Sequence, residues 1–314
     1  LNKYNASNRT FTSYQKQNKE KSLTHSSIWA LLCDTQGTIW IGTYFGGINY
    51  FHPGNQIYRH YQVSFQEGEG LSSPIVGSMT EDSQHNLWIA TEGGGINKYN
   101  PQNNKFQWYR HKERSNSISH DNVKAIYYDN NREALWIGTH MGGLNKLNIQ
   151  NEHFTHYPLE GDQSQSSLSK TIRDITPYKD KLILATHSGI SIFSPQTGQY
   201  KSLFQDKSNK IHFATSVCVD HHNTLWIGGD GKAVYRYSFT DKVLQIYKHN
   251  HALKQSISSN SINRIYEDSQ KRIWFCTNES GIDLYRYETD DFENFDEQHY
   301  GLGSNYVYDV CELS

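Results

Sequence analysis

Apolar residues along this chain come in short bursts separated by polar turns, not at helical spacing. The third unit shows the grammar: Asn122-Val-Lys-Ala-Ile-Tyr-Tyr-Asp129, then Leu135-Trp-Ile-Gly-Thr139, then Gly143-Leu-Asn-Lys-Leu147, then His153-Phe-Thr-His-Tyr157. Bursts rich in β-branched and aromatic side chains, bounded by Asp, Asn and Gly, predict short antiparallel strands, here termed a to d. No long apolar stripe of period 3.6 competes for these residues.

The second burst recurs as Gly37-Thr-Ile-Trp-Ile-Gly-Thr43, Asn86-Leu-Trp-Ile-Ala-Thr91, Ala134-Leu-Trp-Ile-Gly-Thr139, Thr224-Leu-Trp-Ile-Gly228 and Arg272-Ile-Trp-Phe-Cys-Thr277. A degenerate copy is Lys181-Leu-Ile-Leu-Ala-Thr186. Anchored on Trp40, Trp88, Trp136, Ile183, Trp226 and Trp274, the separations are 48, 48, 47, 43 and 48 residues. That period suits a four-stranded propeller blade.

Complete units begin near Ile28, Ile75, Val123, Ile172, Val217 and Ile262. The head, Leu1-Asn-Lys-Tyr4 and Phe11-Thr-Ser-Tyr14, reads as a c and a d strand, and the tail, Asn305-Tyr-Val-Tyr-Asp-Val310, as an a strand. Because closing a ring removes unpaired strand edges, the expected fold is an all-β, seven-bladed propeller of four-stranded antiparallel blades, one domain over residues 1–314. Its closing blade would be shared by the two chain ends and lack strand b, which should follow Ser314. The chain opens at Leu1, not Met, and reads as an excised or processed piece whose targeting segments are missing.

The a-to-b turns begin with Asp34, Asp82, Asp129, Asp220 and Asp268, short carboxylates suited to capping turn amides. The b-to-c turns are glycine-bearing, as hairpins needing positive φ require. No helix follows them, so they form no phosphate cradle.

Composition adds exclusions. With 30 basic and 32 acidic side chains there is no electrostatic footprint for nucleic acid or for an acidic membrane surface. The 22 Tyr, 13 Phe and 7 Trp offset a hydrophobic content of only 35%, supplying the surface a core needs. Cys33, Cys218, Cys276 and Cys311 lack CxxC spacing and read as buried thiols, with a Cys33 to Cys311 bridge as the alternative. The pairs His221-His222 and His249-Asn-His251 lack ligand spacing, and their rings should point apart, so neither metal nor cofactor is expected. No nucleophile elbow, HExxH or Cys/His signature marks an enzyme.

The phrase Ser117-Ile-Ser-His-Asp-Asn-Val-Lys-Ala-Ile-Tyr-Tyr-Asp129, followed by Leu135-Trp-Ile-Gly-Thr-His-Met-Gly-Gly-Leu-Asn-Lys146, closely resembles the two-component-regulator propeller repeat. The likeness recurs over nearly the whole chain, including Gly46-Gly-Ile-Asn49 and Gly94-Gly-Ile-Asn-Lys-Tyr99, and weakens in the fourth and fifth units. It implies the periplasmic sensor region of a hybrid two-component histidine kinase anchored in the inner membrane, often sensing glycan-derived oligosaccharides. It also implies a second propeller in the same receptor and a homodimer in the full-length protein, with the kinase outside this chain.

Side chains that break the repeat around the channel are the candidates for ligand contact, since repeated residues serve the shared fold. They are Tyr44, Glu92, His140, His187, Asp230 and Asn278 in b-to-c turns, with Trp29, Lys124, Arg173 and Arg264 near the channel ends of the a strands. Tyr306 is the tail's counterpart on this reading. A sugar needs an aromatic face and planar donors or acceptors, which this set offers. Two other readings compete: a docking scaffold using exposed Tyr44, Phe45, Phe65 and Trp108, and a propeller lyase or glycosidase with His140 or His187 as base.

Overall fold

The structure, a computed structural model, describes residues 1–17, 22–159, 170–204, 211–229 and 231–313. Six four-stranded antiparallel sheets follow one another as propeller blades. Their a strands are Ile28–Cys33, Val76–Glu81, Val123–Asp129, Ile172–Tyr178, Ser216–Val219 and Ile262–Glu267, and each blade adds b, c and d strands in chain order. One turn, Glu297–Tyr300, is the only α-helix among the described residues.

In five blades, all but the fourth, where Ile183 replaces Trp, an Asp–Trp pair holds the a-to-b turn. In blade 2, Asp82 Oδ1 accepts from the amides of Gln84 and Asn86 at 2.9 Å, while Oδ2 accepts from Trp88 Nε1 at 2.8 Å. Asp34, Asp220 and Asp268 repeat the bond to Trp40, Trp226 and Trp274 at 2.8 Å. In blade 3 one more residue separates the pair, and Asp129 Oδ2 to Trp136 Nε1 lengthens to 3.3 Å. The bond orients the indole, and Trp88, Trp136 and Trp226 are then fully buried, each contributing on the order of 2 to 3 kcal/mol.

Seven hydrophobic clusters run around the ring. Five lie between consecutive blades, as where Trp40 and Ile48 of blade 1 meet Leu87 and Ile89 of blade 2. The sixth joins Trp274 and Phe295 of blade 6 to Tyr4, Phe11 and Val307. The seventh joins Ile39 and Ile41 of blade 1 to Leu1. The chain ends therefore fill the seam between blades 6 and 1.

The expected seventh blade does not form among the described residues, which make six blades. The head forms a two-stranded sheet, Asn2–Asn5 with Thr10–Ser13, and residues 305–310 form no strand. A strand exists only through a ladder partner, and no described segment lies between head and tail to pair with both. The ends are neighbours all the same, Gly303 N donating to Asn2 Oδ1 at 2.9 Å. The tail docks as a blade would, because Gly281 N donates to Asn305 O as Gly47 N, Gly95 N and Gly143 N donate to Pro74 O, Asp121 O and Lys170 O.

Candidate functional site

The start of each a strand builds the site. In blades 1, 2, 3, 4 and 6 the a-to-b register shifts between the first and third residues. Such a bulge takes the middle residue out of the ladder and re-aims its side chain. The residues so released are Trp29, Gly77, Lys124, Arg173 and Asn263, and Thr215 of blade 5 and Tyr308 of the tail stand at the same level. All seven line one cavity of about 430 Å³, within the size range of small-ligand sites.

One side of this cavity is aromatic. Trp29 lies 4.5 Å from Tyr44 and 5.7 Å from Tyr308 between ring centroids, and Tyr44 continues to Phe45 at 4.4 Å. Phe45 is 56% exposed, so the strip runs from the channel out to solvent. The other side, from blades 2 to 4, is charged. Lys124 Nζ pairs with Glu92 Oε1, and Arg173 sits over the Phe213 ring at 4.6 Å. His140 bonds Thr171 Oγ1 at 3.2 Å. Its pKa is lowered first by desolvation and then by Lys124, His120 and Arg173, with Glu92 opposing, so this side carries its positive charge on Lys and Arg.

Arg264 sits one residue deeper than expected, level with Asp174, and Asn263 takes the place foreseen for it. Its guanidinium reaches Asp174 Oδ1 at 3.0 Å and Asp309 Oδ1 at 3.5 Å. Asp174 Oδ2 accepts from Ser216 Oγ and Val217 N, and Asp309 Oδ2 accepts from Leu31 N. Arg264 is thus a strut joining blade 6 to blades 4 and 5 and, through the tail, to blade 1. Burial pushes the Asp309 carboxyl up while Arg264 draws it down. About two fifths of the Arg264 side chain, 41%, still faces channel space.

Of the residues expected at the site, Trp29, Glu92, Lys124, Arg173 and Arg264 line the cavity together. Tyr44 and His140 flank it through Trp29 and Lys124. His187 stands at its edge, packed at 4.8 Å on Phe213 with a buried Nδ1 that has no hydrogen-bond partner among the described residues. Asn278 does not line the cavity, although its backbone N makes the same bond to the preceding turn as that of Glu92. Asp230 lies outside the described residues. The tail residue at the cavity is Tyr308, not Tyr306, because tail docking sets the register two residues later. Asn263, Thr215 and Tyr308 were missed; the signal was the residue after the first apolar position of each a strand.

Two other expectations are corrected. The histidine pairs do not diverge: the rings of His221 and His222 lie 3.8 Å apart, and His249 Nε2 is 3.1 Å from His251 Nδ1, because turn backbone lets neighbouring side chains converge. Of the four aromatics expected to form a surface patch, Phe45 and Phe65 are exposed, whereas Trp108 is tied down by Nε1 donating to Gly70 O at 2.8 Å and Tyr44 packs tilted against Trp29. A second cavity of about 160 Å³, at the a-to-b turns between blades 1 and 2, is lined by groups already bonded to one another, such as Asp34 and Trp40.

Comparison with known proteins agrees with this architecture. The family model described as two component regulator propeller matches residues 22–45, 70–93 and 256–279. No curated protein matches. A structure described as the extracellular domain of a hybrid two component system, BT3049 from B. thetaiotaomicron, is similar with a TM-score of 0.75 and 21% identity, covering 94% of this chain and 38% of that one. PorZ, a bacterial surface component of the type-IX secretion system of Porphyromonas gingivalis, gives 0.70 and 14%, covering 95% and 46%. A catalytically inactive virginiamycin B lyase from Staphylococcus aureus gives 0.66 and 14%, covering 91% and 87%. The chain thus spans less than half the length of the first two, and these likenesses carry the propeller fold alone. No described helix is long and apolar enough to cross a membrane.

Proposed function

We propose that this propeller is an extracytoplasmic ligand-sensing ring of a two-component membrane receptor, and that it takes a glycan-derived oligosaccharide at the mouth of its channel. One observation carries the reading: the second a-level residue of every unit lines the same cavity, five of the seven standing at a bulge, yet its identity changes from Trp to Gly, Lys, Arg, Thr, Asn and Tyr. A scaffold position would repeat. An aromatic strip offers a face to sugar C–H groups, and the Glu92, Lys124 and Arg173 side chains offer planar or charged partners to hydroxyls.

On this reading the ring is non-catalytic, it resides in the periplasm as part of an inner-membrane receptor, and its partners are a second propeller of that receptor and a second copy of the full-length protein. Binding transmits by changing such an interface. The repeat match and the likeness to an extracellular receptor domain support it.

The test is a thermal-shift screen of the chain against neutral and acidic oligosaccharides. A ligand at 100 times its Kd adds about 2.7 kcal/mol. With an unfolding entropy of about 0.7 kcal/mol/K for 314 residues, Tm rises by about 4 °C. Trp29→Ala and Lys124→Ala should each remove the shift. A panel without any shift, or a shift both variants retain, overturns the site; product release from the sugars overturns the non-catalytic reading.

A further inference from the structure

Cys33 closes strand a of blade 1, and Cys311 lies in the tail that occupies the seam beside it. Repeat equivalence fixes how they face. Asp309 Oδ2 accepts from Leu31 N at 2.8 Å as Asp174 Oδ2 accepts from Val217 N at 3.0 Å. The tail therefore stands to blade 1 as blade 4 stands to blade 5. Two residues on, Cys311 takes the place held by Leu32, Tyr127, Cys218 and Tyr266 in blades 1, 3, 5 and 6. Each of these packs into the cluster shared with the unit that follows. Cys33 takes the place of Tyr128 and Val219 in blades 3 and 5, which pack into the cluster shared with the unit before. Cys311 consequently faces blade 1, and Cys33 faces the tail. Both thiols are unpaired, partly exposed, and line the channel cavity.

We propose that Cys33 and Cys311 form a thiol pair that a small disulfide oxidises to an intramolecular bridge, sealing the seam that no strand ladder closes. Burial, with Asp309 and Cys33 beside it, pushes the Cys311 thiol up to about 12, which makes Cys33 the attacking group, because the thiolate is the nucleophile. Cys33 loses its proton to water and its sulfur attacks one sulfur of the disulfide RSSR. The S–S bond breaks, and the departing thiolate takes up a proton as RSH. Cys311 then loses its proton and attacks the Cys33 sulfur of the mixed disulfide, expelling the second thiolate, which is protonated in turn. Two protein thiols are oxidised and one RSSR is reduced to two RSH.

The bridge would close a loop containing nearly all of the chain, where a cross-link constrains the unfolded state most. The experiment treats the full chain with oxidised glutathione or with dithiothreitol, blocks free thiols under denaturing conditions, and maps peptides by mass spectrometry without reduction. The expected result is a linked Cys33–Cys311 peptide, Cys218 and Cys276 still alkylated, and a Tm about 5 °C above the reduced protein. Cys33→Ser should remove both the linked peptide and the Tm gain. Full alkylation of Cys33 and Cys311, a glutathione adduct that persists on Cys33, or a different pairing would each overturn the proposal. The peptide map of the unmutated chain stands whether or not a variant folds.

Discussion

Asp283 offers the sharpest test of the packing argument. Where blades 1, 2 and 3 place Asn49, Asn97 and Asn145, whose side-chain amides donate to Thr24, Ser72 and Ser119 hydroxyls at 2.7 to 2.8 Å, blade 6 places a carboxyl. It is wholly buried. Ser258 N and Oγ donate to it at 3.2 and 2.7 Å, and Asn294 Nδ2 at 3.3 Å. Desolvation outweighs these three donors, so its pKa rises from 3.8 to about 7. The native state therefore holds a proton that the unfolded chain has already released. Stability falls as pH rises from about 4 to about 7, and is level beyond. A difference of about three pKa units amounts to about 4 kcal/mol at pH 8. Asp283→Asn keeps the shape, restores the amide donor used by blades 1 to 3 and removes the titration. It should stabilise by about 4 kcal/mol at pH 8, raising Tm by about 6 °C, and change little at pH 4. Thermal unfolding of both proteins at the two pH values reads this directly. An equal gain at both values, or a loss at pH 8, would refute the account.

Two further substitutions probe the scaffold. Asp82→Ala strips partners from the buried Trp88 indole and the Asn86 side chain together with two turn amides; orphaning such donors should cost roughly 3 kcal/mol in chemical denaturation, and a cost under 1 would show that the turn re-forms without its cap. Arg264→Met leaves Asp174 and Asp309 facing each other, their side chains only 10% and 15% exposed. Discounted for the open side of the guanidinium, the loss should be about 2 kcal/mol at pH 8 and smaller near pH 4, because burial raises the pKa of the Asp309 carboxyl and so favours its neutral form there; unchanged stability at both values would return Arg264 to a purely ligand-facing role.

How far the sequence could be read depended on distance along the chain. The Asp-to-Trp turn cap spans six residues, so Asp82 and Trp88 announce it locally, and the b strands fell where the Leu-Trp-Ile-Gly-Thr phrases lie. The seventh blade was misjudged for the opposite reason. Residues 305–310 have a strand's composition, but a ladder needs a partner that composition cannot supply, and they dock on blade 6 and Leu31 without becoming a strand.

At the channel, Lys124 and Arg173 were identifiable as residues breaking a repeat. That Arg264 is held by Asp174 and Asp309, 90 residues before it and 45 after it, was not. By itself the sequence determined the blade grammar, its period and the residues that vary within it, because each is set by neighbours a turn or a hairpin away. The tertiary structure alone decided which varied residues share one cavity, which charges neutralise each other across it, and how the chain ends meet. Ring closure brings distant residues to one axis, and their energies depend on that meeting and not on the order in which the chain presents them.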